Sequence, residues 1–298
     1  MAIEHESTRL ARAARPGAPW LTMRARTRLV HGVALLLASL GAVIILIPLA
    51  WMFSSSLKDN IEIFTFPPSF IPAHPRWSNY PEAVMAIPFF RYVLNSLLIA
   101  ALGVTGTVLS SSLVAYAFAR LRAPGLGFLF YVVLATIMLP GTVTLIPRFL
   151  IFNWLGWVGT YLPLIVPSWT AGAFNVFLLR QFFRNIPREL DDAARVDGAS
   201  FFGIFWRIIV PQSIPALSAV AIFDFVSQWN NFLDPLIYIQ DTERYTIQVG
   251  LSSFRDIYNT QWNYLMADSL LATLPCLILF FLFQRVFIQG VVVSGIKG

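Results

Sequence analysis

The sequence predicts an all-α polytopic membrane protein with six transmembrane helices, and three observations carry that expectation. Of the 298 residues, 57% are hydrophobic and only 12% charged, with a mean hydropathy of +0.69, too apolar for a water-soluble domain of this length. Six runs approach the ~20 largely apolar residues that a helix needs to cross a hydrocarbon core: Leu29 to Phe53, Tyr92 to Phe118, Leu126 to Ile146, Thr160 to Leu179, Ile214 to Ile239 and Leu265 to Phe287. The basic residues are unevenly shared among the segments between those runs, as they are when Lys and Arg stay on the cytoplasmic face.

Taken in order, residues 1–28 form a basic arm rich in Arg, Ala and Pro, expected to be disordered and cytoplasmic. The apolar run after it exceeds a 7–15-residue signal core and lacks a small-residue cleavage site, so it is expected to remain as the first span. The six-helix membrane domain then covers 29–290, and 291–298 is a short tail. With the amino terminus inside, the inner segments hold fifteen of the 21 basic residues, from Arg9 to Lys297, which puts both termini in the cytoplasm. The net charge of +6 is thereby explained as an orientation signal, and no nucleic acid is implied. The outer segment Ser54 to Arg91 carries Pro67, Pro68, Pro72 and Pro75 and is expected to lack regular structure and form a pinned cap. In the third span Pro140-Gly141 breaks the backbone pattern, either as a bend that moves or as a static kink.

A polar stretch at about 185–211, between the fourth and fifth spans, reads as two short helices joined by a hinge. Pro187 suits a first turn, while Glu189, Asp191 and Asp192 place negative charge at the positive end of the dipole. Gly198 can take the left-handed conformation that ends a helix running from about Arg188 to Asp197. Leu190, Ala193, Ala194 and Asp197 recur at three- and four-residue spacing and share one face of mostly small residues, which a narrow groove accepts. Ser200 can cap a second helix whose Ile204, Phe205, Ile208 and Ile209 would pack back on the membrane domain until Pro211 stops it. By pattern alone, an ordinary amphipathic surface pair fits equally well.

Polar residues inside a span tend to face a cavity or a partner helix. The fifth span has the densest set, Asp224, Ser227, Gln228, Asn230, Asn231 and Asp234, and within it Asp224, Ser227 and Asn231 are expected to form one stripe. That stripe suits a translocation path or, alternatively, contact between helices; Trp229 suits stacking on the ring of a solute or an interfacial anchor.

Several chemistries are excluded or disfavoured. The two lysines, Lys58 and Lys297, are followed by Asp59 and Gly298, so no phosphate-binding loop ending Gly-Lys-Ser/Thr exists and the chain cannot hydrolyse ATP by itself. Cys276 is the only cysteine, and His5, His31 and His74 are scattered, so no metal site is expected. A membrane phosphotransferase holding metal through Asp191, Asp192 and Asp197 is the enzyme rival, but Phe201, Phe202 and Ile204 stand where further carboxylates are needed. No catalytic residue and no cofactor are therefore assigned, and a membrane scaffold is the non-transport alternative.

The stretch from Asp192 to Pro211 resembles the EAA loop of ABC-importer permeases: Glu-Ala-Ala, three residues, Gly, nine residues, Ile, one residue, Leu-Pro. Asp192, Ala193, Ala194, Gly198, Ile208 and Pro211 match at that spacing, with Asp192 in place of Glu and Val210 in place of Leu. Phe177 to Phe183, Ile186 to Leu190, Trp229 to Leu236, Tyr245 to Leu251 and the closing Gly290 and Gly295 to Gly298 are similar to carbohydrate permeases of the maltose type. The resemblance implies a multi-pass subunit of the cell membrane that pairs with a second, homologous permease. It further implies two ATPase subunits docked inside on the Glu189 to Pro211 loop, an extracytoplasmic solute-binding protein outside, and a carbohydrate as cargo. A permease for a non-sugar solute fits the same motifs.

Overall fold

The computed structural model describes residues 23–255 and 260–295, with side chains from 27 to 255 and from 260 to 284. The arm up to residue 22, the segment 256–259 and residues 296–298 lie outside the described residues, as do His5 and Lys297.

Among the described residues the fold is all helical. In chain order the helices are α1 (Met23–Ser56), α2 (Asn60–Ile63), α3 (Asn79–Ala86), α4 (Phe89–Arg120), α5 (Leu126–Ala135), α6 (Gly141–Trp154), α7 (Leu162–Ile165) and α8 (Ala173–Asn185). They are followed by α9 (Glu189–Val196), α10 (Phe201–Ile204), α11 (Val210–Gln212), α12 (Ile214–Trp229), α13 (Leu233–Tyr238), α14 (Ile247–Ser252) and α15 (Trp262–Gly295). Four helical stretches are long and apolar enough to cross a membrane: Thr27–Ser56, Phe89–Arg120, Leu162–Asn185 and Trp262–Gln284. Two bent pairs, Leu126–Met138 with Gly141–Trp154 (100°) and Phe201–Gln212 with Ile214–Trp229 (78°), raise the total to six if each is one span.

The breaks have local causes. Leu139 is extended, the conformation favoured before a proline, and Pro140 lacks the amide that would continue the ladder. The sharp break expected at Pro140-Gly141 is therefore present. The stretch Leu162–Asn185 is interrupted as well: after a tight turn at Val166–Thr170, Ala171 has φ +60°, and the α-helix resumes only at Ala173.

Other expectations need correction. The fifth apolar run is not one helix to Ile239; α12 ends at Trp229 and a separate α13 begins at Leu233. The helix α1 already begins at Met23 within the supposed arm, and α15 continues to Gly295 through most of the supposed tail. Ser54 to Arg91 contains two short helices, α2 and α3, despite its prolines. It is pinned, however: fully buried Asn79 donates to the carbonyls of Ser56 and Lys58 at 2.8 and 2.9 Å, Lys58 bonds the Ser69 carbonyl, and Arg76 pairs with Asp59.

The chain divides into two compact units, Met1–Trp51 and Met52–Gly298. In the second, α4 is the central helix, packed on α8 and α12, while α15 packs on α12 and α3. Small residues make this possible: Ser96, Ala100, Gly103, Thr107, Ser111, Ala115 and Ala119 repeat along α4 at three- and four-residue spacing and are buried. At Gly106 a Cβ would overlap the Trp169 indole, so only glycine admits that ring. One apolar cluster joins α4 and α8 to α10–α12, a second joins α3, α12, α14 and α15, and a third gathers Ile99, Phe152, Leu164, Tyr238 and Ile239.

Candidate functional site

The loop between α8 and α12 is built as two helices around a left-handed glycine. α9 ends in a Schellman-type closure: Gly198 has φ +81°, its amide donates to the Arg195 carbonyl at 3.0 Å, and the Ala199 amide reaches the Ala194 carbonyl at 2.9 Å. Ser200 caps α10 by accepting from the Gly203 amide at 3.2 Å. The second helix does not stop at Pro211. Because Pro211 has no N–H for the Arg207 carbonyl, the chain widens into a π turn over Phe205–Ile209, resumes as α11 to Gln212 and breaks at Ser213. Ile204, Phe205 and Ile209 are fully buried against α4 and α8, and Ile208 packs beside them, whereas Pro211 is exposed.

On α9 and its C-cap Asp197 the exposed residues are Glu189, Leu190, Asp192, Ala193, Arg195, Val196 and Asp197. Ala194 leaves that face: it is half-buried against the cluster formed by α4, α8 and α10. Val196, which the small-residue reading passed over, is 89% exposed and is the most prominent apolar group on the helix.

The sequence pattern also missed what holds α9. Asp191, read from the sequence as a dipole charge or as a metal-holding carboxylate of the enzyme rival, is buried and lies 3.6 Å from Arg120 at the end of α4. Arg120 donates through Nη2 to the carbonyls of Phe183 and Ile186 at 2.8 and 2.7 Å, the end of α8 where carbonyls have no helical partner. One turn earlier, Tyr116 donates to the Phe201 carbonyl at 3.1 Å and packs on the Phe205 ring. Only the arginine at the end of an apolar run, four residues after a tyrosine, hinted at this. A cleft of about 1030 Å³ opens beside α9, lined by Arg120, Arg122, Arg188, Asp192, Arg195 and Phe202 among others.

The polar set of the fifth span is dispersed. Asp224 and Ser227 remain on α12, half-buried and exposed, with Asp224 against Thr107 of α4. Asn231 lies beyond the helix end, so the three do not form one helical stripe; its side chain accepts from the Asp234 amide at 3.2 Å and donates to the Asp234 carboxylate, which pairs with Arg148 of α6 at 3.0 Å. Gln228 donates to Ser168 Oγ at 2.9 Å, tying α12 to the Val166–Thr170 turn, and lies over Gly103 of α4. Asn230 is exposed and donates to the Val226 carbonyl. Trp229 is neither an anchor nor a stacking platform: it is buried, lies parallel to Phe225, and donates to the Ala272 carbonyl of α15 at 3.0 Å. Among the described residues no cluster of His, Cys, Asp or Glu has the arrangement of a metal site.

The fold thus defines a polytopic helical membrane protein with a polar two-helix loop fastened to its core. The chain belongs to the family of binding-protein-dependent transport system inner membrane components, whose family model matches residues 21–293. It is accordingly a membrane permease component of an ABC transporter, not a catalytic subunit. It is 37% identical over 210 residues to the arabinooligosaccharides transport system permease protein AraQ of Halalkalibacterium halodurans, covering 70% of this chain and 75% of that one. It is 33% identical over 285 residues to the sn-glycerol-3-phosphate transport system permease protein UgpE of Escherichia coli O1:K1, covering 93% of this chain and 98% of that one. A crystal structure of a bacterial ABC transporter involved in alginate import contains a chain of the same fold, with a TM-score of 0.76 at 22% identity, covering 91% of this chain and all of that one.

Proposed function

We propose that this chain crosses the membrane six times with both termini in the cytoplasm, pairs with a second permease, and carries a carbohydrate handed over by an extracytoplasmic binding protein. Two ATPase subunits drive the cycle, one of them docking on α9. The observation that carries the reading is the exposed face of α9: Glu189, Asp192, Ala193, Val196 and Asp197 face outward, with Asp192 paired to Arg195 on the same surface, while Asp191 is buried and Ala194 half-buried toward the core, which leaves the surface a groove on a partner needs. The arginine asymmetry supports the orientation, since it leaves this loop on the side where ATP is. The carbohydrate assignment is supported by the arabinooligosaccharide relative; the glycerol-3-phosphate relative supports a second reading, a small phosphorylated polyol.

The mechanism follows from linkage. ATP-bound, closed ATPases reopen the passage outward only if they bind one permease conformation better than the other, and α9 transmits that difference. Along the passage Asp224, Ser227 and Asn230 offer polar groups to a hydroxylated cargo, while Gln228 and Asn231 fix the helices that carry them.

The test is capture of the complex from its own membranes through a tag on this chain, with co-purified ATPase quantified and uptake of labelled oligosaccharides and glycerol 3-phosphate measured in vesicles. The wild-type chain retains the ATPase, and Val196→Glu, which buries a charge in the docked groove, loses most of it. Absence of any ATPase with the wild-type chain overturns the proposal.

A further inference from the structure

We propose that Arg120 and Tyr116 form a clamp that makes α9 and α10 rigid with α4 and α8, so that displacement of the loop by an ATPase is delivered to the membrane helices and not absorbed within the loop. The inference rests on the coupling role proposed for α9. Three structural ends converge on one guanidinium. The last carbonyls of α8 form the negative end of its dipole, Asp191 lies in the first turn of α9, and Arg120 is itself the last residue of α4. The ion pair is largely shielded, with side chains only 1% and 5% exposed at the floor of the cleft, so the loss of one partner leaves the other poorly solvated. Tyr116 repeats the attachment four residues earlier on the same face of α4, through its hydroxyl to Phe201 and its ring against Phe205. A loop needed only for docking has no use for two buried attachments to one helix; a lever does.

Arg120 is thus a positioning residue, and its test reads motion. In a Cys276→Ala background, spin labels are placed at Arg188, on the cleft side of α9, and at Leu113, exposed on α4. The captured complex is then measured without nucleotide and with ATP plus vanadate. The expected result is a single narrow distance unchanged by nucleotide. Asp191→Asn preserves shape but leaves Arg120 unpaired, and should broaden the distribution about twofold or make it nucleotide-dependent while the complex still hydrolyses ATP. Asp191→Glu should restore the narrow distance, and Tyr116→Phe should add to the broadening. A narrow, nucleotide-independent distance in Asp191→Asn overturns the clamp, as does a wild-type distance that shifts with nucleotide. Those results leave the docking reading intact, since the ATPase is still retained. Failure of the wild-type chain to capture any ATPase removes the docking reading and the clamp together.

Discussion

Replacement of Gly198 separates backbone conformation from contact. The residue has φ +81°, and a Cβ built there meets nothing within 4 Å, so any effect of a side chain comes from the left-handed backbone and not from collision. An L-residue held there costs about 1–2 kcal/mol, least for Asn and most for a β-branched residue. Because the Gly198 and Ala199 amides close the end of α9, that strain shifts the closed motif by a factor of about 5–30 toward opening. The expected order of integrity is Gly and Asn first, then Ala, then Val. Hydrogen exchange at the Ala199 amide reads this directly, with protection falling about 5–30-fold in Gly198→Val and little in Gly198→Asn. ATPase retained by the tagged chain should fall in the same order. Equal protection and equal retention in Gly198→Val and Gly198→Asn would refute the reasoning, because with nothing within 4 Å of the added Cβ the two differ here chiefly in tolerance of positive φ.

Two further outcomes follow from packing and charge. Gly106→Ala forces a methyl group into the Trp169 indole and should destabilise the purified protein by about 1–3 kcal/mol, read as a lower Tm in detergent; an unchanged Tm would mean that α4 and the Val166–Thr170 turn do not approach so closely. Glu82 accepts a hydrogen bond from the Tyr264 hydroxyl at 2.7 Å, and that bond, then Ser78 and Arg76, holds its carboxyl below the usual range. A depressed carboxylate contributes stability above its unfolded value, about 4.3, and loses it as pH falls through the folded one. The Tm difference between wild type and Glu82→Gln should therefore be constant near neutrality and shrink below about pH 4.3; a difference that grows on acidification contradicts the assigned sign.

The sequence by itself determined the class of this protein, because the controlling physics is local or additive. Apolar runs such as Tyr92 to Phe118 must be helices in lipid, since their backbone groups have no other partners. The α9 hinge was legible for the same reason: Gly198 and Ser200 act through amides within a few residues, and both adopt the expected geometry. The strict spacing from Asp192 to Pro211 carried the family, and the family model bears that out.

Only the tertiary structure decided which polar and small residues do which work. Asp224, Ser227 and Asn231 lie at helical spacing, but the chain leaves the helix at Trp229, so periodicity beyond that point had no meaning. Trp229 could not be placed from sequence because its indole N–H is satisfied by Ala272, forty-odd residues away. Ala194 looks like Ala193 in the sequence; the core formed by α4, α8 and α10 turns one inward and leaves the other exposed. The pairing of Asp191 with Arg120 was equally hidden, since a buried ion pair is specified by where two helices end in space, and no local rule records the distance between residues 71 positions apart.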